Sequence, residues 1–84
     1  MHYVYVLYSE RFDKIYIGYS TNPEIRLTFH NSDTNTGWTK TYKPWKIIYT
    51  EQFLTISEAY RREKQLKTSR GRNFVRQIIS RNEL

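Results

Sequence analysis

Apolar residues along this chain fall into two short unbroken blocks, followed by stretches in which they recur every three or four positions. His2-Tyr3-Val4-Tyr5-Val6-Leu7-Tyr8 is rich in β-branched and aromatic residues and predicts a strand. Ser9 to Asp13 is polar enough to turn. Lys14-Ile15-Tyr16-Ile17-Gly18-Tyr19 then repeats the character of the first block, so the two predict an antiparallel hairpin. Gly18 within the second block marks a bulge or a close approach of backbone. Asn22-Pro23 is a helix start, an N-cap side chain followed by proline at the first helical position, and Glu24 complements the helix dipole. On that helix Ile25 and Phe29 share one face and Arg26 and His30 another. Asn31 to Gly37 is a loop by composition.

Trp45-Lys46-Ile47-Ile48-Tyr49 predicts a third strand, with Pro44 at its start. Thr55-Ile56-Ser57-Glu58 has the pattern of a capping box and opens a helix expected to reach about Lys67. Ser69-Arg70-Gly71 is expected to break it. A last helix is expected from about Asn73, with Phe74, Val75, Ile78 and Ile79 on one face and Arg72 and Arg76 on the other. The order is ββαβαα. It predicts a single small α+β domain over residues 1–84, a three-stranded antiparallel sheet flanked by three helices.

Composition narrows the chemistry. With no cysteine among 84 residues, disulfides, zinc thiolates and cysteine nucleophiles are all excluded. Eight tyrosines and an aromatic fraction of 17% are the expected source of core area in so short a chain. No apolar run approaches the roughly 20 residues of a membrane span and no signal-peptide pattern opens the chain, so the expectation is a soluble cytoplasmic protein without a membrane partner. The net charge of +6 is unevenly spread: residues 1–42 hold four basic and four acidic residues, whereas residues 43–84 hold ten and four. Such asymmetry points to an anionic partner, with nucleic acid ahead of membrane or an acidic protein; a solvated, solubilising surface is the other reading.

Glu63 stands out because it falls in the middle of the stripe formed by Ile56, Ala59, Tyr60 and Leu66. A carboxylate there must be paired, hydrogen-bonded, protonated or bound to a metal. An ion pair with a neighbouring base, or a stripe edge that reaches water, also accounts for it. Tyr3, Tyr5 and Leu7 share one face of the first strand, and Tyr16 and Gly18 one face of the second. A pairing in which residue numbers sum to about 21 sets Tyr5 opposite Tyr16, while a slip of one separates them, and the register is open. Strand tyrosines also serve simply as core and rim. Arg26 has the geometry to hold a phosphate bidentately, with His30 four residues on able to position or protonate an oxygen of the same ligand; an exposed helical arginine is equally ordinary.

Taken in order, these residues resemble a known family. Tyr3-Val4-Tyr5 and, about ten residues on, Tyr16-Ile17-Gly18 are similar to the paired motif of the GIY-YIG nuclease superfamily. Tyr19-Ser20-Thr21-Asn22-Pro23, Arg26, His30 and Asn31 continue its pattern. Arg62-Glu63-Lys64-Gln65-Leu66-Lys67 resembles the acidic helix motif of its small stand-alone bacterial members, and Trp45 to Phe53 their third strand. The likeness spans nearly the whole chain. It implies a metal-dependent endonuclease fold related to the nuclease domain of nucleotide excision repair, and to the catalytic domains of homing endonucleases.

Carried across by position, the resemblance makes Glu63 the sole protein ligand of a divalent metal, Mg²⁺ or Mn²⁺. Tyr5 would orient or deprotonate the attacking water with Tyr16 beside it. Arg26 would stabilise the scissile phosphate, and His30 would assist proton transfer or positioning. The metal and Arg26 are expected to draw the tyrosine pKa down from about 10. Two departures accompany the likeness. Tyr3 stands where the family's first motif often has glycine, and the chain has no room for the extra DNA-binding domain of larger members. Lys64, Lys67, Arg70, Arg72 and Arg76 are therefore the expected phosphate contacts, holding a backbone rather than reading bases. The expected activity is hydrolysis of phosphodiester bonds in DNA, ahead of RNA, on branched, flapped or single-stranded substrates. A non-catalytic nucleic-acid-binding module and a subunit of a repair complex are the alternatives.

Overall fold

The first apolar block becomes strand β1 (His2–Ser9), and it lacks polar alternation because both of its faces are covered. It lies at the centre of an antiparallel sheet of order β2-β1-β3, with β2 (Lys14–Ser20) and β3 (Lys46–Phe53) at the edges. The helices are α1 (Pro23–Asn31), α2 (Ile56–Leu66) and α3 (Ser69–Asn82), in the order ββαβαα. A 3-10 helix, Trp38–Tyr42, adds a short element that the polar loop composition did not announce. The computed structural model describes residues 1–82.

The alternation along β1 sorts the core into two parts. Val4, Val6 and Tyr8, with Ile15 and Ile17 of β2, pack under Ala59, Leu66 and Val75 of α2 and α3. Tyr5 and Leu7 project to the other side, where Trp45 and the half-buried Tyr16, Leu27 and Tyr42 cover them. A bulge in β3 between the partners of Val6 and Leu7 lets Ile48 and Tyr49 both join the first cluster while Ile47 joins the second.

The hairpin turn is held from a distance. Asp13 adopts a left-handed backbone (φ 54°), which aspartate tolerates, and its carboxylate accepts from Tyr8 Oη at 2.9 Å and Arg76 Nη1 at 2.5 Å. Local caps form as the sequence predicts. The Asn22 side chain accepts from the Ile25 N–H, with Pro23 opening the helix, and Thr55 and Glu58 make a complete capping box.

Three expectations require correction. Tyr5 faces Gly18 and Leu7 faces Tyr16, so the hairpin is two residues out of the register that would set the tyrosines opposite each other. A shift of two keeps every side chain on its face, and Tyr5 and Tyr16 still meet diagonally. In α2 the buried stripe is Ala59, Glu63 and Leu66, whereas Ile56 and Tyr60 are exposed. The helix is rotated so that Glu63 lies deeper than two of the apolar residues once assigned to its stripe. Finally, Ser69-Arg70-Gly71 does not interrupt the chain but forms the first turn of α3. Thr68 makes that corner possible: its hydroxyl donates to the Gln65 carbonyl at 2.6 Å and accepts the Gly71 N–H at 3.2 Å, capping α3 on the last turn of α2.

Candidate active site

Helix α1 turns its polar face inward. Ile25 and Phe29 are exposed, while His30 is buried and Arg26 half-buried against the sheet. This orientation places the His30 ring 4.5 Å from Tyr16 and 6.2 Å from Tyr5, centroid to centroid, with the two tyrosines 6.1 Å apart. Gly18 makes the cluster possible. A methyl at its Cβ position would sit 2.8 Å from the Tyr5 Cζ and hydroxyl and 3.0 Å from Tyr16 Cε1, so only a glycine lets the Tyr5 ring cross the strand here.

A chain of hydrogen bonds fixes the histidine. The Gly37 N–H donates to Asn35 Oδ1 at 2.8 Å, which orients that amide so that Nδ2 donates to the His30 carbonyl at 3.0 Å and to Thr39 Oγ1 at 2.7 Å. Thr39 Oγ1 in turn lies 2.9 Å from His30 Nδ1, the one acceptor that the described residues offer its hydrogen. We therefore assign the proton of His30 to Nε2, which donates to Tyr5 Oη at 3.2 Å. The phenolic hydrogen of Tyr5 is then free for another acceptor. Asn31 and Trp45 brace the segment: the Asn31 side chain clasps the Trp45 backbone N–H and C=O, and Trp45 Nε1 donates to the Thr39 carbonyl at 2.8 Å.

Electrostatics follow from this burial. Desolvation pushes the Tyr5 phenol up to about 12, and the nearby Arg26 guanidinium, which acts in the opposite direction, does not overcome it. Arg26 thus pulls the tyrosine down as expected, but desolvation, which the sequence does not show, outweighs it. His30 is held below its ordinary 6.5, first by burial and then by Arg26. It is a neutral imidazole at pH 7.

A stability prediction follows. The unfolded chain binds a proton at His30 below about pH 6.5 that the folded chain resists, so folding stability rises with pH through this window and falls as pH drops from 7 to 5. Urea denaturation at the two pH values should show this loss, and His30→Gln should flatten it. An unaltered pH slope in the variant would assign the effect elsewhere.

Arg26 makes no ion pair with a carboxylate among the described residues, and its guanidinium rests 4.9 Å from the Phe29 ring centroid. A half-buried cation without a counter-ion among the described residues, next to a neutral imidazole and a protonated phenol, has the chemistry to receive an anion.

Glu63 enters from α2. It is 9% exposed, and among the described residues its partner is Lys67 Nζ at 3.4 Å, one helical turn on. Lys67 lines a cavity of about 490 Å³ at the β2 edge together with Tyr16, Trp38, Arg72 and Arg76. Tyr16 and the partner of Glu63 therefore face the same space. Lys64 and Arg70 do not: Lys64 lies 4.8 Å from the Tyr60 ring on another part of α2, and Arg70 borders the outer groove between α2 and α3. Arg76 lines the cavity but is bound to Asp13, leaving Arg72 as its guanidinium without an ion pair among the described residues.

The donor set restricts the metal that could bind. No group of three or more His, Cys, Asp or Glu side chains assembles among the described residues. A single nearly buried carboxylate, Glu63, outside any such group suits a hard cation that keeps most of its water, and it suits Mg²⁺ better than zinc.

The GIY-YIG catalytic domain, as a family, matches residues 1–76 of the chain. The chain belongs to this family. Among its relatives, a UPF0213 protein of Staphylococcus haemolyticus is 38% identical over 80 residues, covering 95% of this chain and 96% of the relative. Another, from Enterococcus faecalis, is 46% identical over 68 residues, 79% of this chain and 76% of the relative. The solution structure of a UPF0213 protein from Bacillus halodurans shares the fold, with a TM-score of 0.53 at 28% identity over 92% of this chain and 83% of that one. No helix in the described residues is long and apolar enough to cross a membrane.

In this GIY-YIG domain, Asn35, Thr39 and Trp38 are the site residues that sequence reasoning missed. Asn35 reads as loop polarity and Thr39 drew no reading, and only their burial and shared hydrogen bonds reveal them. The signal available was aromatic spacing: Trp38, Tyr42 and Trp45 recur every three or four residues in an otherwise polar stretch.

Proposed function

We propose that this GIY-YIG domain, residues 1–84, is a divalent-metal-dependent endonuclease that hydrolyses phosphodiester bonds of DNA. The observation that carries the proposal is the half-buried Arg26 of α1, without an ion pair among the described residues, beside the Tyr5–His30 pair, with Tyr16 and Lys67 on the cavity at the β2 edge. Arg26 meets the charge of the scissile phosphate, and Arg72 and Lys67 hold the adjoining backbone. Glu63 is the residue that would hold the cation, with Lys67 giving way as its counter-ion. When bound, the cation supplies positive charge against the developing charge of the transition state.

The two tyrosines divide the remaining work. Tyr16 lines the cavity and orients the attacking water through its hydroxyl. Tyr5 is buried and stays protonated at neutral pH, so it acts as a hydrogen-bond donor, directed by the His30 Nε2–H that occupies its oxygen.

The test is cleavage of supercoiled plasmid and of labelled single-stranded, flapped and branched oligonucleotides with Mg²⁺ or Mn²⁺. Nicking should vanish with EDTA and return when excess metal is added. Salt-dependent binding of all these substrates, with none of them cut, would replace the enzyme by a binding module.

A further inference from the structure

Trp38 is half-exposed, yet its ring packs at tilted angles against Tyr42 at 4.8 Å and Trp45 at 5.9 Å between centroids. Trp45 is itself buried and anchored through its indole N–H to the Thr39 carbonyl, so the cluster has a fixed base. The backbone that enters it is pinned by the Gly37 N–H bond to Asn35. About half of a large indole is thus left exposed on a rigid support. Isolated exposed aromatics are common and need no explanation. This one lines the same cavity as Tyr16, Lys67 and Arg72.

An aromatic face beside a line of cations has the composition of a single-strand nucleic-acid site. The cations follow the phosphates, and the ring takes a base whatever its identity, since every base has a π face. A paired base inside a duplex is covered above and below by its neighbours and has no face to offer.

We propose that Trp38 is a nucleobase-stacking platform, which takes an unpaired base next to the backbone held by Lys67 and Arg72 and so directs the site to strands whose bases are free. This deepens the endonuclease reading and rests on it for the cavity's ligand. The specificity would therefore come from base pairing status rather than from base identity.

The experiment measures binding in EDTA, so that turnover plays no part. It uses fluorescein-labelled oligothymidine, an abasic strand of the same length and a blunt duplex of that length. Trp38→Ala should weaken oligothymidine binding about tenfold, the size expected for loss of one stacked base, and should change abasic-strand and duplex binding less than about twofold. Trp38→Phe keeps a stacking face and should retain most of the affinity, which separates stacking from damage to the fold. Equal losses on the abasic and base-bearing strands, no loss on either, or no binding of any strand by the unmodified protein would each overturn the proposal. The two readings fail separately. Binding with this Trp38 dependence but no metal-supported cleavage removes the enzyme and leaves the platform, whereas cleavage with Trp38→Ala unchanged on oligothymidine does the reverse.

Discussion

Glu63→Gln is expected to lower metal-supported DNA cleavage at least about a thousandfold, or about 4 kcal/mol of transition-state stabilisation, while leaving the protein as stable as before. The two halves of this expectation come from the same environment. Glu63 is nearly buried on the inward side of α2, but its 3.4 Å pair with Lys67 carries no hydrogen bond, so the protein gains little from that charge in its place. Glutamine fills the same volume without a charge to desolvate. Removing the carboxylate strands no partner either, because the Lys67 side chain is about half exposed and remains solvated. A structural carboxylate would behave in the opposite way, with stability falling and activity following it. Paired measurement of the melting temperature and the cleavage rate therefore distinguishes the two roles. A variant that cuts like the parent protein would remove Glu63 from the metal site.

What could be read from the sequence is what local chemistry decides. Asn22-Pro23 and the Thr55–Glu58 box act within one helical turn, and both appear where the residues place them. Glu63 was visible for a related reason, since a carboxylate among apolar positions conflicts with its own element before any fold is known. The rest depends on partners distant in the chain. Alternation assigns Tyr5 and Tyr16 to one face, but the register that makes them diagonal neighbours depends on Gly18 accepting the Tyr5 ring. Helix α1 shows the limit of a hydrophobicity argument: its Ile25–Phe29 face looks like the core face, yet the helix buries His30 because Thr39 and Tyr5 await both ring nitrogens. Charge proximity could be anticipated for Tyr5, but its desolvation could not. That is why the phenol moves up to about 12 and not downward.

Gly71→Ala is expected to destabilise the domain by about 2–3 kcal/mol, a drop of roughly 10–20 °C in melting temperature for a domain of this size. Helix propensity alone argues the other way, since alanine is favoured over glycine inside a helix by about 1 kcal/mol. Sterics decide the sign. A Cβ at Gly71 would lie 2.3 Å from the Gln65 carbonyl oxygen and 2.4 Å from Leu66 Cα, and both are backbone atoms of α2 that no rotamer change can move. Relief requires α3 to lift from the last turn of α2, which breaks the Thr68 cap joining the two helices and loosens Val75 and Leu66 in the core. Total stabilities of small domains start near 5 kcal/mol, so the loss takes a large share. It also reaches the site, because this corner brings Lys67 of the α2 end and Arg72 of the α3 start to one cavity. Gly37→Ala is the matched control. Its backbone is ordinary (φ −85°) and the added methyl would meet Asn35 Oδ1 at 3.5 Å, a normal contact, so stability should change by less than about 0.5 kcal/mol. Thermal unfolding of both variants beside the parent protein checks the pair; equal melting temperatures for all three would mean that α3 can shift its seat on α2 at no cost.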